Sequence, residues 1–223
     1  MTQGDITNIY DWGPASGTAP KQIVLLLHGL GSNGRDLISL APYYAHALPD
    51  AVFVSPDAPF ACDMVPPGYP DSYQWFSLQS RDPEAMLEGA QAAQPILNAL
   101  IDQLLQQHNL PADQLALLGF SQGTMMSLYS APRYSQKIAG VLGYSGALLG
   151  EGELAQAKSK PPIHLIHGEA DDVVPVAAYA HAKQALEAAG FEISGHTAPG
   201  LTHSIDEAGI ESGAAFLKEV FSA

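Results

Sequence analysis

The run Ile23-Val24-Leu25-Leu26-Leu27 is apolar at five consecutive positions. Side chains of a strand alternate between its two faces, so an unbroken apolar run needs cover on both. Helices packed on each side of a parallel sheet supply that cover. Residues 51–54, 115–118, 138–142 and 163–166 repeat the pattern, and residues 192–197 make a sixth candidate strand. Longer amphipathic stretches separate them, which is the order of βαβ units joined by right-handed crossovers. Asp82-Pro83-Glu84 starts one helix, with Asp as cap and Pro at the first helical position. That helix extends to about His108, and Pro95 predicts a kink or break in it. Another begins at Pro175 and ends at Gly190, and a last one covers residues 205–220. The predicted class is α/β, a mostly parallel central sheet with helices on both faces.

A chain of 223 residues fits one domain, residues 1–223, and 47% hydrophobic against 14% charged residues suits a substantial core. Nine Lys plus Arg against 23 Asp plus Glu give a formal charge of −14. Such a surface repels phosphate backbones and anionic lipid, so no nucleic-acid partner is expected. A lone cysteine, Cys62, excludes an internal disulfide framework and suits a reducing compartment. The first residues have neither a basic start nor an apolar stretch, and no apolar run exceeds five residues. The expectation is a cytoplasmic protein with no export signal and no membrane span.

Residues 57–78 break the rhythm. Pro59, Pro66, Pro67, Gly68 and Pro70 preclude regular structure, while Met64, Tyr69, Tyr73, Trp75 and Phe76 are apolar enough to pack. A long loop of this composition is either a pocket wall or an aromatic cap on the core, and its apolar residues make a homodimer conceivable.

Gly119-Phe120-Ser121-Gln122-Gly123 follows one of the predicted strands directly. A chain of this composition holds about 0.15 chance matches to Gly-x-Ser-x-Gly, so context has to decide. Here a strand precedes and a helix follows, the setting in which the two glycines permit a sharp turn and leave the serine hydroxyl at the top of the sheet. Gly143-Tyr144-Ser145-Gly146-Ala147 is a rival, but Leu149-Gly150-Glu151-Gly152 breaks the chain where the helix should be, and Ser145 reads as a loop serine.

A serine hydroxyl needs a histidine to take its proton and an acid to orient that histidine. The loop His167-Gly168-Glu169-Ala170-Asp171-Asp172-Val173-Val174-Pro175 lies at the end of a strand, where the acid of such a fold is presented. Asp171 is the first choice, with Asp172 and Glu169 competing. Of the downstream histidines, His164, His181 and His196 fall in or beside regular elements, whereas His203 sits in a loop after the last strand, the place for a proton shuttle. His28-Gly29-Leu30-Gly31-Ser32-Asn33-Gly34 can turn backbone N–H groups toward the serine, which makes the amides of Leu30 and Gln122 candidate oxyanion donors. The loop lacks the spacing and the lysine of a phosphate-binding turn. His164 and His167, three apart on a strand, point to opposite faces, so no metal site is expected.

Taken together, Leu27-His28-Gly29-Leu30-Gly31, Trp75-Phe76, Gly119-Phe120-Ser121-Gln122-Gly123, the 167–175 loop and Gly200-Leu201-Thr202-His203 resemble, in order and over nearly the whole chain, the phospholipase/carboxylesterase family. That family includes small bacterial carboxylesterases and acyl-protein thioesterases. The resemblance implies an α/β-hydrolase fold without a large lid domain, a Ser121-His203-Asp171 triad and no cofactor. Its Gly-x-x-Asp-x-Val-Val-Pro pattern falls on Asp171, while Asp172 stands where the family often has proline. His28 and Trp75 match family positions near the site and take structural or pocket roles. The expected activity is hydrolysis of a small-molecule carboxylic ester or thioester, with short to medium acyl chains preferred. Lysophospholipase and protein depalmitoylase are alternatives, and a non-catalytic binding module is the rival from another class. Met64, Val65, Trp75, Phe76, Met125, Val174 and Leu201 are the expected acyl-pocket residues.

Overall fold

In the computed structural model, which describes residues 4–66 and 69–222, the apolar runs become the middle of a seven-stranded sheet. The strands are β1 (Ile9–Trp12), β2 (Gln22–Leu27), β3 (Ala51–Pro56), β4 (Phe60–Ala61), β5 (Tyr73–Gln74), β6 (Leu115–Phe120), β7 (Gly140–Tyr144), β8 (Ile163–Gly168) and β9 (Ile193–Ala198). The main sheet has the order β1-β3-β2-β6-β7-β8-β9; β1 pairs antiparallel with β3 and the other ladders are parallel. The helices are α1 (Gly34–Leu37), α2 (Ala41–Ala45), α3 (Pro83–His108), α4 (Gln122–Ser130), α5 (Ala177–Ala188) and α6 (Glu207–Val220).

Strand β2 shows why consecutive apolar residues were needed. Ile23, Leu25 and Leu27 enter the core beneath α3, α4 and α5, while Val24 and Leu26 enter a second core beneath α2 and α6. All five are fully buried, at about 1.5–3 kcal/mol for each large side chain. Strand β1 was invisible as an apolar run because it is a half-exposed edge whose inward residues, Tyr10 and Trp12, alternate with outward Ile9 and Asp11. Strand β7 lies two residues later than expected, starting at Gly140 opposite Ala116.

Two local expectations are corrected. Helix α3 runs unbroken through Pro95. Both Pro95 and Gln91, whose carbonyl loses its helical donor, are exposed on the outer face, so that carbonyl is left open to solvent rather than buried unpaired. In residues 57–78 the prolines do not prevent pairing: β4 and β5 form a two-stranded antiparallel ladder, Phe60 opposite Gln74 and Ala61 opposite Tyr73. Pro67 and Gly68 lie outside the described residues. No helix among the described residues is long and apolar enough to cross a membrane.

One histidine couples the fold to pH. His164 on β8 is buried against the ring of Phe216 (5.2 Å between centroids) and is hydrogen-bonded on both nitrogens, to Ser194 Oγ at 2.7 Å and Ser212 Oγ at 2.8 Å. Burial, with His196 nearby, lowers its pKa from the ordinary 6.5 to about 4. The unfolded chain therefore binds the proton first, and stability falls as pH drops from 6.5 toward 4. After allowance for the part of the ring that meets solvent, the loss is about 2 kcal/mol. Urea unfolding of wild type and His164→Gln at pH 7 and pH 4.5 should show a smaller acid loss in the variant; equal losses would rule out this source.

Candidate active site

Ser121 occupies the single residue between β6 and α4, with φ 54° and ψ −115°. A residue with a side chain holds that conformation only where its surroundings enforce it. Its N–H donates to the Tyr144 carbonyl at 2.9 Å and its carbonyl accepts from the Met125 N–H at 3.1 Å. The flanking glycines are steric requirements. A Cβ on Gly123 would lie 1.8 Å from the Leu27 carbonyl oxygen, and one on Gly119 would lie 2.4 Å from the Thr124 nitrogen. The turn is therefore tight enough to present Ser121 to a cavity rather than to the core. Ser145 also has positive φ, 49°, but it is buried, does not line that cavity and is followed by no α-helix.

Of the three carboxylates after β8, only Asp171 meets His203. The His203 Nδ1–H donates to Asp171 Oδ2 at 2.8 Å, while Asp171 Oδ1 accepts from the amides of Val173 and Val174 at 2.9 and 2.8 Å. Burial alone pushes the carboxyl pKa up, but His203 and the two amides outweigh it and hold Asp171 below the ordinary carboxylate range. Glu169 instead accepts from the Thr197 hydroxyl at 2.8 Å, and Asp172 is exposed. With Nδ1 donating to a carboxylate, the other ring nitrogen of His203 is left bare as a base. Its ring lies against Phe120, 4.9 Å between centroids, and His203 and Ser121 line the same cavity.

His167 was not singled out as part of this arrangement. Fully buried, it donates from Nε2 to the Val174 carbonyl at 2.8 Å and lies 3.4 Å from Asp171 Oδ2, so it braces the acid loop from behind. Its position four residues before Asp171 at a strand end was the available signal. His164 faces α6 instead, and among the described residues no group of three or more His, Cys, Asp or Glu side chains could hold a metal ion.

The loop after β2 lies directly on the serine. A Cβ on Gly29 would come 3.2 Å from Ser121 Cβ, and Leu30 lines the cavity. The backbone N–H groups of Leu30 and Gln122 have no hydrogen-bond partner among the described residues. That of Gln122 belongs to the first turn of α4, where helix amides are free to bind negative charge.

The cavity measures about 390 Å³ and its walls are mostly apolar, with Asp36 and Arg81 as its charged side chains. It brings together two of the seven expected acyl-pocket residues. Met125 and Val174 line it; Met64, Val65, Trp75, Phe76 and Leu201 do not. Met64 is 54% exposed on the outer loop, whereas Trp75 and Phe76 are buried beneath the site. Leu201 uses its carbonyl to accept from the Ala170 N–H at 2.9 Å. Their places are taken by Leu37 of α1, Leu78, Met86 at the start of α3, Phe120 and Val173. Of these, Phe120 and Val173 lay within motifs already recognised.

Fold and site define a class: a serine hydrolase of the α/β-hydrolase fold, with no large lid domain among the described residues. The phospholipase/carboxylesterase family model matches residues 15–221, and the chain belongs to that family. Its structure is similar to that of esterase PE8, with a TM-score of 0.88 and 37% identity over 98% of this chain and all of that one. Esterase YpfH of Escherichia coli (strain K12) is 31% identical over 186 residues, covering 83% of this chain and 77% of the relative. Acyl-protein thioesterase 1 of Gibberella zeae is 27% identical over 216 residues, covering 88% and 89% respectively. Within the family the chain is an ester hydrolase of the carboxylesterase type.

Proposed function

We propose that this chain, as one hydrolase domain in the cytoplasm, cleaves carboxylic esters of short to medium acyl chain through an acyl-enzyme on Ser121. The observation that carries the reading is the 2.8 Å hydrogen bond from His203 Nδ1 to Asp171, placed on the wall of the cavity that Ser121 also lines. Ser121 Oγ attacks the ester carbonyl while His203 Nε2 takes its proton, and the amides of Leu30 and Gln122 hold the resulting oxyanion. Collapse expels the alcohol, protonated by His203. Water then enters, gives its proton to His203 and attacks the acyl group, and Ser121 recovers its proton as the acid leaves. Asp171 stays ionised throughout and keeps His203 in the tautomer that can act as base.

The bounded apolar volume of about 390 Å³ favours short and medium acyl groups. Thioester hydrolysis is the second reading, favoured by the acyl-protein thioesterase among the relatives. A kinetic panel of p-nitrophenyl esters from acetate to palmitate, beside a lysophospholipid and an acyl thioester, separates them. The expected kcat/KM maximum is at short to medium esters; a maximum at palmitate, the lysophospholipid or the thioester would overturn the ester reading.

A further inference from the structure

We infer that His28 is a positioning residue for the oxyanion hole: it fixes the Gly29 carbonyl and thereby sets the direction of the Leu30 N–H. This rests on the reading of Leu30 as an oxyanion donor.

His28 follows the last residue of β2 and is fully buried. Its Nε2 lies 2.9 Å from the Ala58 N–H and its Nδ1 lies 2.7 Å from the Gly29 carbonyl oxygen. An amide N–H can only donate, so Nε2 carries no proton. A carbonyl can only accept, so Nδ1 carries it. One neutral tautomer satisfies both contacts, and burial, the largest influence on this ring, lowers its pKa and so maintains the neutral form.

The Gly29 carbonyl and the Leu30 N–H are opposite ends of one planar trans peptide. Holding the carbonyl back toward His28 turns the N–H the other way, on the side of the cavity that Leu30 lines. The pin matters because the residue before the donor is glycine, whose backbone has little resistance to rotating that peptide. Ser32 N–H adds a longer bond to the same carbonyl, 3.2 Å.

The same network reaches the other proposed donor. Trp75 Nε1–H donates to the His28 carbonyl at 3.1 Å, and Trp75 N–H donates to Gln122 Oε1 at 2.9 Å. Gln122 Nε2–H in turn donates to the Phe76 carbonyl at 2.8 Å. His28, Trp75 and Gln122 are all fully buried. The ends of β2 and β6 are thus tied through Trp75, its indole bonded to the one and its backbone N–H to the other, and the residues supplying both amides are held in a single frame.

Two near-isosteric variants test the pin. His28→Asn places an amide donor near Nδ1 and loses the acceptor for Ala58. His28→Gln places an acceptor near Nε2 and loses the donor to Gly29. The Asn variant should keep kcat within about tenfold of wild type, whereas the Gln variant should lose about a hundredfold in kcat with little change in KM. Affinity for a trifluoromethyl ketone, which forms a tetrahedral oxyanion on serine, should fall in parallel with kcat. Affinity for a ground-state ether analogue should not, a separation that mere scaffolding does not produce. Equal losses in the two variants, or a better Gln variant, overturn the role of His28. If a fluorophosphonate leaves wild-type Ser121 unlabelled, the underlying triad reading fails instead. Should the variants not fold, nitrogen-15 NMR of wild type still decides. The Nδ1-protonated tautomer of His28 and a downfield shift of the Leu30 amide on ketone binding are expected, and an Nε2-protonated ring overturns the inference.

Discussion

A Ser121→Ala variant is expected to turn over p-nitrophenyl butyrate about 10⁴-fold or more slowly than wild type, with KM changed by no more than about threefold. The methyl group removes the attacking oxygen and leaves the cavity walls, His203 and the loop amides in place. The loss therefore belongs to kcat, and only the residual catalysis of binding and oxyanion stabilisation survives. Ser121 is also held by its own backbone, through the Tyr144 carbonyl and the Met125 N–H, and Ala keeps both bonds. An unchanged melting temperature should accompany the loss. The companion Ser145→Ala should keep full activity, because Ser145 is buried away from the cavity. Activity retained in the first variant, or lost in the second, would move the nucleophile elsewhere.

Asp171→Asn should cost about 10³- to 10⁴-fold in kcat with the fold intact. Asn keeps the oxygen that accepts from Val173 and Val174, so the loop survives. At the other position an amide N–H faces His203 Nδ1, where two donors cannot meet. The imidazole then places its proton on Nε2 and has no lone pair for the serine hydroxyl. Glu169→Gln and Asp172→Asn provide the comparison: Glu169 is bonded to Thr197 and Asp172 is exposed, so each should stay within about twofold of wild type. Steady-state kinetics of the three variants ranks the carboxylates. A large loss in either of the other two variants with a small one in Asp171→Asn would contradict the assignment.

The features legible in the sequence were those with a backbone cause. Consecutive apolar residues mark strands buried on both faces, and Gly119 and Gly123 mark a turn in which no Cβ fits. Asp82 and Pro83 mark the start of α3, where Asp82 accepts from the Glu84 amide at 3.0 Å. The choice among Glu169, Asp171 and Asp172 had no such cause, since three acids in four residues differ only in where the loop turns them. The resemblance pointed to Asp171, and the geometry brings that residue to His203.

The pocket was the least legible part. Trp75 and Phe76 have the composition of a pocket wall, yet the indole is consumed in holding the His28 carbonyl and the Phe76 carbonyl in accepting from Gln122. Leu37, Leu78 and Met86 reach the cavity only because α1 and the start of α3 converge above the sheet. Convergence of segments some forty residues apart is a tertiary event with no local pattern to announce it.

The most direct measurement is labelling of the folded protein with a fluorophosphonate, followed by mass spectrometry of the proteolytic peptides. One equivalent of label on the peptide containing Ser121, absent from Ser121→Ala and sharply slowed in Asp171→Asn, is the expected result. Label on Ser145 or another residue, or no label while ester hydrolysis proceeds, would contradict the assignment of Ser121 as the nucleophile.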